Sequence, residues 1–226
     1  MTRTLACLHA HHSNIPLVEA GFASHAVELV HYVDPGFDRR KSDPGFSSAA
    51  IRHQVADRLG WIAGSGADGV LVTCTLFAAY LPPEADSSTE TPVITIDAPF
   101  FAELCGERTP LTLVFTNPAT VQGTMERLAA EAEARGLPAP AAEAVLLPDT
   151  FPLLMQGRAD AYRAAVRDGL ERLLRSQPDR SVCAAQLSMA PAAELVNAAA
   201  GEPVVRQPLA AVVRETADRL GLAALR

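Results

Sequence analysis

Four thiols and a knot of histidines are the side chains of this sequence best suited to chemistry near neutral pH. Cys7, Cys74, Cys105 and Cys183 form no CxxC pair and no short-spaced Cys/His quartet, so neither a structural zinc finger nor a disulfide scaffold is supported. A free thiol is by default a small buried hydrophobe. Cys7 and Cys183 fit that role inside apolar, strand-like runs, and Cys105 fits it in or just after a helix. Cys74 differs because it follows Val70-Leu71-Val72-Thr73 and precedes Thr75-Leu76-Phe77, a strand-to-helix turn where free backbone amides favour a thiolate. Nucleophilic or proton-transfer chemistry and plain packing are both open to it. In His9-Ala10-His11-His12, His9 and His11 could share a strand end as metal ligands, or His11 or His12 could move a proton. All six histidines lie at or before residue 53, so a barrel hydrolase drawing further ligands from late strands cannot be assembled, and no metal is expected.

Other polar residues fall at similar turns. Thr116, Asn117 and Thr120 would offer hydroxyls and an amide at a helix start, either to a ligand or as caps. Gln186 and Ser188 follow a later apolar run in the same way, while Ser13 and Asn14 suit capping of a first helix. Asp97, before Ala98-Pro99, suits a helix start better than a base. Asp34-Pro35-Gly36 and Asp43-Pro44-Gly45 bracket a basic segment, Phe37 to Ser42, which reads as a surface loop or as a flap carrying cations.

These residues need elements to hold them. Short apolar runs alternate with segments of helical period, which predicts an α/β chain with parallel sheets. Strands are expected at Leu5 to Ala10, Val27 to Val33, Val70 to Thr73 and Val93 to Asp97, with helices at Ile15 to Ser24 and Ser47 to Ala63. Ile51, Val55, Leu59 and Ile62 form the inward stripe of that second helix, with Ser47 or Ser48 as cap. The series restarts near residue 110 with strands at Leu111 to Phe115, Ala144 to Leu147, Val182 to Ala185 and Val204-Val205. Its helices are expected at Ala119 to Arg135, Met155 to Ser176 and Ala190 to Ala199, with a last one over Pro208 to Leu225. The chain is thus a weak internal duplication with a period of roughly 106 to 112 residues. The expected architecture is two similar lobes, each a short, mostly parallel sheet flanked by helices, with the active site in the interlobe cleft. The boundaries are residues 1–107, 108–205 and a C-terminal helix, 206–226, packing back on the first lobe. Ligands of such sheets bind beyond the carboxyl ends of the strands, where the polar candidates cluster.

Composition removes other classes. A net charge of -7, with basic residues scattered rather than gathered into a stripe, argues against nucleic acid as a partner. Apolar runs such as Leu76 to Leu81 are too short to span a bilayer, and the start of the chain lacks the apolar core of a signal peptide, so a cytoplasmic protein is expected. A homo-oligomer is compatible with all of this.

Val-Leu-Val-Thr-Cys-Thr at 70 to 75 resembles the first cysteine motif of the aspartate/glutamate racemase superfamily, which includes hydantoin racemases, maleate isomerases and arylmalonate decarboxylases. Val114-Phe115-Thr116-Asn117-Pro118-Ala119-Thr120-Val121 is similar to the Thr-rich turn opening their second half, and Ala185-Gln186-Leu187-Ser188-Met189-Ala190 to a later turn. The resemblance implies a two-lobed enzyme without cofactor or metal, holding a small carboxylate between two cysteines. One thiolate takes the α-proton while the opposite thiol delivers one. On this reading Cys74 is catalytic, with His11 as a stand-in partner, and Asn14, Thr75, Thr116, Asn117, Thr120, Gln186 and Ser188 bind substrate. The second cysteine should fall where the duplication puts Gln186, whose amide is neither a general acid nor a base. Symmetric two-thiol racemisation is therefore not expected. Isomerisation through one thiol leads, a decarboxylase or lyase with one protonating thiol follows, and a non-catalytic carboxylate-binding protein is the third reading.

Overall fold

The computed structural model describes residues 2–36, 40, 43, 47–81 and 91–225. The basic segment expected over Phe37 to Ser42 falls almost entirely outside the described residues. The chain divides into two compact units, Met1–Ala98 with Ala210–Arg226, and Pro99–Leu209.

The first unit carries β1 (Arg3–His9), α1 (Ile15–Phe22), β2 (Val27–Val33), α2 (Ser48–Ala63), β3 (Gly69–Val72), α3 (Thr75–Ala78) and β4 (Val93–Thr95). Its sheet is parallel in the order β2-β1-β3-β4. Every residue of β3 is buried, as befits a strand covered on both faces. On one face, Ile51, Val55, Leu59 and Ile62 of α2 pack on Ala6, Leu8, Val70 and Val72. Burying each such branched side chain stabilises the unit by about 1.5–3 kcal/mol, an upper figure given a compact unfolded chain. Ser47 caps α2 by accepting a hydrogen bond from the Ala50 amide at 3.2 Å.

Within the second unit, α4 (Ala98–Leu104), which begins at the junction, leads to β5 (Leu111–Phe115), α5 (Val121–Ala134), β6 (Ala142–Leu146), α6 (Thr150–Met155), α7 (Ala159–Ser176), β7 (Ser181–Ala184), α8 (Ala190–Ala200) and β8 (Val205–Arg206). The sheet order β6-β5-β7-β8 repeats the first, again all parallel. Tyr162, Val166 and Leu170 of α7 pack with Val114, Val182 and Ala184. Close approach is built in at Gly169, where a Cβ would lie 2.7 Å from Leu147 Cδ1. The final helix, α9 (Pro208–Leu220), ends at Gly221, whose φ of +61° no ordinary side chain takes readily. The residues after it return to the first unit's own chain: the Leu225 amide donates to Ser24 O at 2.7 Å, and the Ala26 amide to Ala223 O at 2.8 Å.

Two expectations need correction. The helix expected over Met155 to Ser176 starts at Ala159 instead, because Gly157 takes φ +71° and turns the chain after α6, a short helix that was not expected. The last helix stops at Leu220 rather than Leu225, at the glycine just named.

Candidate active site at the strand ends

In each sheet the chain leaves the first strand toward one edge and returns on its other side, so connections diverge beyond the carboxyl ends of β1 and β3, and of β5 and β7. Such a divergence is the usual ligand position of parallel α/β sheets. The two ends match closely. The Thr73 amide donates to Leu8 O at 3.0 Å, and the Ala185 amide donates to Val114 O at 2.9 Å. Cys74 and Gln186 then stand at the same place, each on extended backbone at the start of a helical turn. Likewise His11 and Asn117 each open a short 3-10 turn, His12–Asn14 and Pro118–Thr120, with the side chain accepting from an amide two residues on.

Cys74 is the half-buried thiol; Cys7, Cys105 and Cys183 are buried. Burial pushes the thiols of Cys7 and Cys183 up to about 12 and raises Cys105 as well, so these three stay protonated at neutral pH. Cys74 opens α3, its carbonyl accepting from the Ala78 amide at 3.0 Å, and Thr75 beside it is half-buried too.

The histidines do not act as one cluster. His9 is fully buried, with Nδ1 2.8 Å from Thr73 Oγ1 and Nε2 2.9 Å from His31 Nδ1. Thr73 Oγ1 donates to Leu8 O at 3.2 Å, so it accepts from His9 Nδ1–H, and His9 Nε2 is left to accept from His31 Nδ1–H. Desolvation, with the charge of His31 second, lowers His9 to about 4 and keeps its ring neutral. His11 points elsewhere: Nδ1 accepts from the Ser13 amide at 3.2 Å and lies 2.8 Å from Ser13 Oγ, which leaves Nε2 to carry the ring proton. The pairing of His9 with His11 considered from sequence is therefore replaced by His9 with His31. Asn14 makes no capping bond to α1; its Nδ2 reaches Thr73 Oγ1 at 3.4 Å, one residue from Cys74. At α4 the hydroxyl of Thr95 takes a bond from the Ala98 amide at 3.3 Å, the place considered for Asp97, which is itself buried.

The second unit gathers more of the expected residues into one network. Gln186 Oε1 accepts from the Thr116 amide at 2.7 Å, the Thr116 hydroxyl at 2.9 Å and the Asn117 amide at 3.1 Å. Gln186 Nε2 donates to Thr120 Oγ1 at 3.2 Å, and that hydroxyl donates to Asn117 O at 2.9 Å. Two adjacent amides and a hydroxyl on one oxygen are the donors an anion would take. Here a neutral side-chain oxygen of the chain occupies them. Ser188 joins through Tyr162, whose hydroxyl lies 2.8 Å from Ser188 Oγ and 3.2 Å from Thr116 Oγ1.

Sequence reasoning missed Tyr162, His31 and Thr73. Tyr162 had a signal, being the one polar-tipped residue on the inward stripe that continues with Val166 and Leu170. His31 had none, since only strand pairing brings it beside Cys7.

No family model matches the chain, and no curated protein matches it in sequence. Solved structures do match. The aspartate racemase of Picrophilus torridus superposes with a TM-score of 0.67 over 99% of this chain and 96% of that one, at 10% identity. The chain has the racemase fold. A glutamate racemase from Thermus thermophilus gives a TM-score of 0.67 at 16% identity, covering 97% of this chain and 81% of its own. The allantoin racemase of Pseudomonas fluorescens gives 0.65 at 18% identity, covering 98% and 93%. Among the described residues, no helix is long and apolar enough to cross a membrane.

Proposed function

We propose that this chain is a cofactor-independent racemase or isomerase of a small carboxylic acid or amino-acid derivative, with Cys74 as the group that takes or gives the proton. The observation that carries this reading is the placement of one half-buried thiol where β1 and β3 diverge, in a racemase fold whose other three thiols are buried. His11 is its proton-transfer partner through Nε2. Asn14 and Thr75 contact the substrate beside Cys74. Thr116, Asn117, Thr120, Gln186 and Ser188 hold the substrate's carboxylate.

Gln186 favours a second reading. Standing where a second thiol would stand, with its amide bonded at both ends, it has no proton to trade. Chemistry on one face, such as protonation after decarboxylation or elimination, needs only Cys74. A screen of α-amino, α-hydroxy and dicarboxylic acids in deuterated water, read by mass spectrometry, separates these. Deuterium at the α-carbon of unchanged acid supports racemisation, a new product mass supports the lyase, and either signal must vanish in Cys74→Ala. Saturable binding without turnover, unaffected by Cys74→Ser, would replace both readings with a binding protein.

A further inference from the structure

Cys7, His9 and His31 are brought together by strand geometry alone. Residues two apart on a strand face the same way, so Cys7 and His9 share a side of β1, and His31 of β2 is the register partner of Cys7. Their ligand-capable atoms all lie within 4.8 Å of one another. Thiolate plus two imidazoles is a donor set suited to zinc. Around a tetrahedral zinc the same atoms would be about 3.3–3.6 Å apart, given Zn–N near 2.0–2.1 Å and Zn–S near 2.3 Å. The His9–His31 contact of 2.9 Å would open slightly and the Cys7 side chain would swing inward.

The surroundings are already those of a metal ligand. A ligating histidine donates its other ring N–H to a fixed acceptor, which sets the tautomer. His9 does this, Nδ1–H going to Thr73 Oγ1 and on to Leu8 O, so its Nε2 lone pair faces the cluster. His31 holds the second observation. Its Nε2 is buried with no hydrogen-bond partner, while Glu19 Oε1 stands 3.9 Å away, beyond bonding distance. An unpaired buried ring nitrogen is costly.

We propose that Cys7 Sγ, His9 Nε2 and His31 Nδ1 bind one zinc ion, with Glu19 as the outer carboxylate that orients His31. On binding, Cys7 loses its proton to solvent, and the His31 proton moves from Nδ1 to Nε2, where it faces Glu19 and fills the orphaned position. The ion reaches the site from the β2 edge, where the His31 side chain keeps 15% of its surface exposed and Glu19 keeps 59%. It ties β1 to β2 and takes no part in the thiol chemistry of Cys74.

The test is titration of the reduced, chelator-treated full chain with cobalt(II), followed by zinc(II) competition. One cobalt per chain is expected, with a thiolate-to-cobalt charge-transfer band that zinc abolishes and a rise in melting temperature. Cys7→Ser should remove the band, His31→Ala should weaken binding by about a hundredfold, and Glu19→Gln by about tenfold. Cys74→Ser should leave the band intact. If Cys7→Ser does not fold, His31→Ala at the sheet edge carries the same test. No band in the wild type, or a band that survives Cys7→Ser or follows Cys74→Ser, overturns the proposal. None of these readouts requires turnover, so they stand apart from the fate of the proposed reaction.

Discussion

After β3 the chain presents a half-buried thiol; at the matching position after β7 it presents a glutamine bonded at both ends of its amide. The backbones agree: both residues are extended, both open a helical turn, and both follow a residue whose amide bonds the neighbouring central strand. The two sheets thus deliver two equivalent stations that differ in residue type. Cys74 can exchange a proton. Gln186 cannot, and it fills the Thr116 and Asn117 amides that would otherwise await an anion. On the proposed function, the second unit's strand ends hold the substrate and the first unit's react with it.

The strongest way to break this contrast is to remove the thiol. Cys74→Ala is expected to lower turnover of whatever acid the protein converts by about 10²–10⁴, the usual worth of a positioned proton-transfer group, with KM little changed. Next in size is the acid sensitivity that His9 gives the first unit. His9 is neutral when folded at about 4 against the usual 6.5, so the unfolded chain binds its proton first as pH falls. The stability of the metal-free protein should be full above pH 6.5 and fall by about 3 kcal/mol by pH 4, as read by urea melts; His9→Asn should flatten that slope. Gln186→Ala removes the acceptor of three bonds and should cost about 1–2 kcal/mol of stability, the loss being limited because water reaches the half-buried position. Smallest is Tyr162→Phe, which deletes one hydroxyl between Thr116 and Ser188 and should cost about 1 kcal/mol.

Much of this was legible in the sequence because it depends on local periodicity. The α2 stripe, the strand runs and the place of Cys74 after Val70-Leu71-Val72-Thr73 follow from patterns of two and about four residues, and the structure repeats them. Gln186 was findable as the counterpart of Cys74 through the duplication. Its bonds were not, because they reach back some seventy residues to Thr116 and Asn117 across paired strands. His31 and Thr73 were hidden for the same reason, since the register of β1 with its neighbours creates the contacts of His9. The break at Gly157 was missed because helical period runs on through it, and a single positive φ decides where the helix ends.

The central claim, that Cys74 is the reacting thiol, is tested most directly by timed iodoacetamide labelling of the native protein near pH 8, with each cysteine followed by peptide mass spectrometry. Cys74 should be alkylated well before Cys7, Cys105 and Cys183, and a converted acid from the deuterium screen should slow its labelling. Labelling of Cys74 no faster than of the three buried thiols, or unchanged by that acid, would contradict the account.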